Sequence, residues 1–265
     1  MSLLERQRPW PNSVNSDLAA SLGDPNFPKI LTGTLQGERI VRYQQIFTDY
    51  SRLGISKTYD RPIAVDSLQR RLLRAWGVRG GFGVFDDHKS GGLLCRSLLW
   101  CRGADMEDRN LEKIKFPEHR SIPAIPSWSW MAYAGSIDYF KPEFGRFDWE
   151  PIGRPWTNDG VGSNSVALTA KARRCSYNAT GNSFKGHEDM LVFDRADYEC
   201  GEDVFCAVLG IEKGDALPSQ KTHYLLLVCT TNARNIDGLP IYHRIGAGFL
   251  QGKFIKDGGF IIAIY

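Results

Sequence analysis

"YDRPIAVDSLQRRLLRAWG" runs from Tyr59 to Gly77, and its reading decides the fold class. Pro62 falls where a first helical turn tolerates it, because the N–H that proline lacks would have no partner there. Asp60 stands in the capping position before it, and Gly77 can close the far end. Ile63, Leu68, Leu72 and Trp76 are the expected buried stripe. Upstream, in "ERIVRYQQIFTDYSRL" (38–53), Tyr43, Ile46, Phe47, Tyr50 and Leu53 recur at helical spacing. Downstream of Gly80–Gly81, "SGGLLCRSLLWC" (90–101) reads as a shorter third helix, with Leu94, Leu98 and Cys101 near one face.

Beyond Pro117 the pattern changes. "SVALTAKA" (165–172) alternates apolar and polar residues. "DVFCAVLGI" (203–211), "THYLLLVCT" (222–230), "IYHRIGAGFL" (241–250) and "GFIIAIY" (259–265) are short runs rich in Val, Ile and aromatics. Gly214–Asp215, Asn235, Asp237–Gly238 and Asp257–Gly258 supply the turns between them. Helices first and strands afterwards predict an α+β fold, an N-terminal helical segment packed on a mainly antiparallel β-sheet or barrel. Residues 1–37 read as an irregular arm with a short helix at 17–22. Residues 38–265 read as one domain, helical over 38–116 and β-rich over 117–265, with a loop or linker at 153–164.

Composition narrows the function classes. With 265 residues, 42% of them hydrophobic and 24% charged, the chain is long and apolar enough to bury a core. A net charge of +3 from scattered basic residues does not make a nucleic-acid track. No apolar run is long enough for a signal peptide or a membrane span, so a cytoplasmic protein is expected. The six cysteines form no CxxC pair and read as reduced thiols, with Cys206 and Cys229 as small strand hydrophobes. The five histidines are isolated in sequence, which argues against a metal site. His223 and His243 fall in expected strands. "GAGFLQG" (246–252) departs from a dinucleotide-binding spacing and lacks the helix that must follow it. Neither metal nor cofactor is expected.

The aromatics remain. In "IPSWSWMAYAG" (125–135), Trp128 and Trp130 lie two apart, so in extended chain they would point the same way. They can fill a core between helices and sheet. They can also wall an apolar cavity together with Tyr133.

Four blocks, in order, resemble the part of fungal heterokaryon-incompatibility (HET-domain) proteins that follows the HET domain proper. In Tyr50–Leu68 the matching residues are Tyr50, Ser51, Asp60, Arg61 and Ala64. Gly83, Val84 and Phe85, then Leu98, Leu99 and Trp100, resemble a Gly-Leu-Trp … Leu-Leu-Trp block. "IPSWSWMAYAGSIDY" resembles an Ala-Pro-Ser-Trp-Ser-Trp block. Tyr242, Arg244, Ile245 and Gly246 resemble a late Tyr-Arg-Arg-Ile-Gly block. The signatures of the HET domain itself are absent, so the cell-death role is not implied.

The resemblance leaves two expectations. One is a recognition or interaction module. The other is recruitment to natural-product chemistry, since HET-like proteins without the effector half, norbornene-forming Diels–Alderases among them, are associated with fungal secondary metabolism. A cycloaddition needs no nucleophile, metal or redox group. Holding two reacting ends together supplies up to about 7–11 kcal/mol, and one donor on a conjugated carbonyl adds a few more. The sequence reading is therefore a cofactor-independent cyclase acting on an apolar, terpenoid-like molecule. Trp128, Trp130 and Tyr133 are its expected walls, and His243, Arg244 and Arg61 its expected donors. That reading requires a closed apolar pocket with one of the two tryptophans on its wall.

Overall fold

The structure is a computed structural model that describes residues 35–53, 57–88, 92–106, 110–117, 125–156, 166–176, 184–185, 189–195 and 204–265. The helix expected at 17–22, most of the loop expected at 153–164 and Cys200 lie outside the described residues. The helices are α1 (Gln36–Ser51), α2 (Arg61–Trp76) and α3 (Gly92–Leu98). The early strands are β1 (Arg79–Gly81), β2 (Val84–Asp86), β3 (Trp100–Arg102), β4 (Glu112–Lys113), β5 (Tyr133–Ala134), β6 (Ile137–Tyr139) and β7 (Phe147–Trp149). The later ones are β8 (Leu168–Arg174), β9 (Phe184–Lys185), β10 (Met190–Phe193), β11 (Val204–Glu212), β12 (Thr222–Arg234), β13 (Pro240–Gln251) and β14 (Phe260–Ile264). The α+β order expected from the sequence is the order observed.

Local chemistry explains the helix ends. Pro62 sits in the first turn of α2, and Gly77 closes it at φ 62°, giving its N–H to the Leu73 carbonyl. The buried stripe is Val65, Leu68, Leu72 and Trp76. Ile63, expected in it, is 51% exposed. At about 100° per residue, Ile63 falls roughly opposite the face that Val65, Leu72 and Trp76 share. The third helix also stops earlier than its apolar pattern suggests. Trp100–Arg102 pairs with Ile137–Tyr139 as strand instead, and the Leu98 and Trp100 carbonyls accept from Arg244. Four short strands thus interrupt the segment read as helical.

The late strands form an eight-stranded sheet that closes on itself. β8 pairs with β11, β11 with β12, β12 with β13, β13 with β14, and β14 with β8. A ring of five strands cannot alternate direction all the way round. One pair must be parallel, and it is β13–β14. The chain makes that crossover between Gln251 and Phe260. The second half of β13 also pairs with β10, which extends the sheet beyond the ring.

Alternation along the strands feeds two apolar clusters from opposite faces. Phe205, Ala207, Leu226 and Val228 join one, with Leu94, Leu98 and Trp128. Cys206, Leu225 and Leu227 join the other, with Phe193 and Leu250. A separate helical core gathers the stripes of α1 and α2 around Phe85, Trp100 and Trp130.

Candidate functional site

Trp128 and Trp130 do not point the same way. The chain turns through Ser127–Ser129 and enters a 3-10 turn at Trp130–Ala132, so each indole enters a different core. Both are fully buried. Trp128 packs edge-on against Phe82 and Trp156 and donates Nε1–H to the Val166 carbonyl at 3.0 Å. Trp130 lies 5.2 Å from Phe47 between ring centroids. A Cβ on Gly83, where φ is +81°, would stand 2.3 Å from its Nε1. The indoles therefore staple two cores together. Neither of these two expected walls lines the cleft described below; among the described residues each packs inside its own core.

The expected arginine donors are consumed by the scaffold. Arg61 is buried and gives Nη1 to the carbonyls of Tyr133 (2.8 Å) and Gly135 (2.9 Å) and Nη2 to that of Ser51 (2.7 Å). Arg244 is fully inaccessible. It donates to the carbonyls of Leu98 (3.0 Å) and Trp100 (2.6 Å) and holds Asp194 through two contacts of 3.2 Å. Burial raises the Asp194 carboxyl and outweighs the opposing pull of Arg244. A guanidinium whose N–H groups already meet carbonyls and a carboxylate has little left for a substrate.

Tyr133 is buried, 5.6 Å from the Trp100 ring on which Arg244 lies. Burial, then the Asp194 charge, raises its phenol. Half-buried His243 sits opposite Cys229 on β13. Burial, then Lys113, lowers its imidazole, so it is neutral near pH 7. The structure thus brings together the four sequence blocks of the resemblance, but as a framework. Arg61 ties the first to the third, and Arg244 ties the fourth to the second. Ser127 ties the third to the fourth by accepting the Arg244 N–H at 2.9 Å and donating to the Tyr265 carbonyl.

The more promising concavity lies elsewhere. A half-open cleft of about 520 Å3 runs between α1, the β3–β6 pair and the edge of the sheet. Its size falls within the usual range for small-molecule sites. Phe140, Tyr224 and Phe249 form one wall, with centroid separations of 5.4–6.5 Å. Arg52 and Asp138, paired at 2.9 Å, stand at the lining's polar side. Gln44 and Tyr139 also line it. Both are over nine-tenths buried; the Tyr139 hydroxyl has no hydrogen-bond partner among the described residues, and the Gln44 amide nitrogen has none within 3.5 Å, although the Tyr43 hydroxyl stands close to it. Such groups cost about 1–3 kcal/mol each when left unmatched, so a buried pair of them beside a cleft is informative.

The cleft's lining carries charge in Arg52, Arg102, Asp138 and Lys141, but its buried Cys101 and Tyr139 stay neutral. Burial, with Asp138 adding, pushes the Cys101 thiol up to about 12, which keeps it from acting as a thiolate. Burial likewise raises the Tyr139 phenol well above its ordinary value. Among the described residues no group of three His, Cys, Asp or Glu side chains could hold a metal ion. What the lining offers is aromatic surface and hydrogen-bond donors.

Gln44 and Tyr139 escaped the sequence reading for a plain reason. Gln44 sits among apolar residues of an amphipathic helix and carries no motif. Tyr139 closes the quoted tryptophan block but belongs to a different strand from Tyr133. Only the pairing of β6 with β3 places it beneath α1. Compared with protein-family models, with characterised proteins and with solved structures, the chain matches none.

Proposed function

We propose that the protein binds an apolar, carbonyl-bearing small molecule in the α1 cleft and cyclises it without a cofactor. The observation that carries this reading is the pair of unpartnered donors, Gln44 Nε2 and the Tyr139 hydroxyl, buried beside an aromatic wall. A neutral phenol and a neutral amide can hydrogen-bond a carbonyl and draw electron density from a conjugated alkene. The aromatic wall presses the rest of a flexible guest into one pose. The lining has no activated nucleophile to divert the reaction into hydrolysis. The resemblance to HET-like proteins recruited to natural-product chemistry belongs to the same proposal, with the reacting site moved from the tryptophan block to the cleft.

The test is incubation of the purified protein with conjugated apolar polyenes carrying a carbonyl, watching for a product of unchanged mass. Tyr139→Phe and Gln44→Leu should lower the rate, each on the order of 10²-fold by analogy with oxyanion donors, without unfolding the chain. Full turnover in both variants would sink the assignment.

A second reading, a recognition module, rests on a different observation. Leu35 (74% exposed) and Val41 (56%) at the start of α1 share one outward patch with Phe144 (57%), which reaches it from the β6–β7 connection. Exposed apolar clusters of this kind mark contact surfaces. This reading predicts association abolished by Val41→Glu and no turnover of any small molecule.

A further inference from the structure

The crossover that closes the barrel builds a second concavity. Its lining comes from β8, the turn at 217–219, the start of β12 and the segment 252–258, and it encloses about 660 Å3. Strand alternation places Lys171 and Arg173 on one face of β8, opposite buried Ala170 and Ala172. The crossover brings Lys253 and Lys256 to the same groove.

Its backbone is fixed by hydrogen bonds. Lys253 N–H donates to the Ser219 carbonyl at 2.8 Å, Gly252 N–H to Lys221 at 2.9 Å, and Lys256 N–H to Arg174 at 3.0 Å. A Cβ on Gly252 would lie 2.0 Å from the Pro218 carbonyl oxygen, so only glycine lets the two segments close. His223, over nine-tenths buried, lines the groove with Nδ1 held at 2.8 Å from the Lys221 carbonyl.

Among the described residues, none of Lys171, Arg173, Lys253 and Lys256 has a carboxylate within salt-bridge distance. Among the described residues, Asp257 is the one acidic residue in the lining, against these four cations. Uncompensated like charges gathered on a preformed surface raise the local concentration of an anion.

We propose that this groove binds a small organic phosphate or diphosphate with a compact apolar body. The charge excess suits a multiply charged head better than a single carboxylate. Ile211, Leu217 and Ile255 offer apolar surface beside it. A nucleic-acid strand fits less well, because among the described residues the lining has no Phe, Tyr or Trp ring on which a base could stack, and its one imidazole, His223, is over nine-tenths buried. The site shares no residue with the α1 cleft, so it stands or falls separately from the cyclase reading.

The experiment is calorimetric titration of the full chain with inorganic pyrophosphate at low salt, beside sulfate and a short oligothymidylate. Saturable one-to-one binding of pyrophosphate is expected, tighter than sulfate and weakened about tenfold or more in Lys253→Ala/Lys256→Ala and in Lys171→Ala. These lysines are exposed, so the variants should keep the parent's melting temperature, which the same samples report. No binding of pyrophosphate, binding unchanged in the variants, or tighter binding of the oligonucleotide through the same lysines would each overturn the proposal.

Discussion

The guanidinium of Arg244 lies over the ring of Trp100, with its central carbon 3.1 Å from the ring centroid, while Nη2 donates to the same residue's carbonyl at 2.6 Å. One side chain of β13 thereby grips both the ring and the backbone of β3. Nε and the same Nη2 meet the Asp194 carboxylate at 3.2 Å, and Nη1 meets the Leu98 carbonyl. This contact is where the barrel and the helical part are joined, and it accounts for the helix ending at Leu98.

Arg244→Ala should cost about 3–5 kcal/mol, since it strands a buried carboxylate and two carbonyls. Arg244→Lys should recover only part of that, because an ammonium cannot reproduce the planar fork. Urea denaturation followed by tryptophan fluorescence measures both. Equal stability of Lys and wild type would show that stacking and bidentate geometry contribute nothing.

Arg61→Ala should destabilise by roughly 3 kcal/mol, as two buried carbonyls and a part-buried one lose a charged donor. The loss should appear together with faster amide exchange in the segment 133–137. An unchanged exchange pattern there would mean that water replaces the guanidinium freely.

Gly83→Ala tests the seat of Trp130. A methyl group would be forced against the indole from a backbone already at positive φ. Strain and overpacking together predict a loss of about 2–4 kcal/mol, read as a drop in melting temperature. A wild-type melting curve would contradict the packed geometry around the tryptophan block.

Tyr139→Phe separates ligand binding from folding. Removing an unpartnered buried hydroxyl should leave stability unchanged or raise it by about 1 kcal/mol. A clear loss of stability would reveal a partner for that hydroxyl within the fold.

Burial lowers the imidazoles of both His223 and His243. Below the unfolded value of 6.5 the unfolded chain therefore binds more protons than the native one. Stability should be fully present above that pH and fall as pH drops through the window beneath it. Melting temperatures from about pH 8 to about pH 5 measure this. His243→Gln and His223→Gln should each flatten the slope, and a slope unchanged in both would assign the effect to other groups.

The sequence alone determined the two long helices and the late strands, but not the four short strands that interrupt the segment read as helical. Pro62, Gly77, the apolar stripe of α2 and the alternating late runs carry their conformations locally, through fixed φ, left-handed closure and periodicity. Burial of the tryptophan block was equally legible. Which way each indole would face was not, because a turn at Ser129 overrode the extended geometry that a two-residue spacing suggests. The tertiary structure decided the donors. Arg61 and Arg244 look like free cations in a string of letters, yet the fold spends their N–H groups on carbonyls up to 146 positions away. It left Gln44 and Tyr139, unremarkable in sequence, as the unpartnered groups beside a cleft. Hydrogen-bond satisfaction depends on what surrounds a group in space, and neighbours along the chain do not report it.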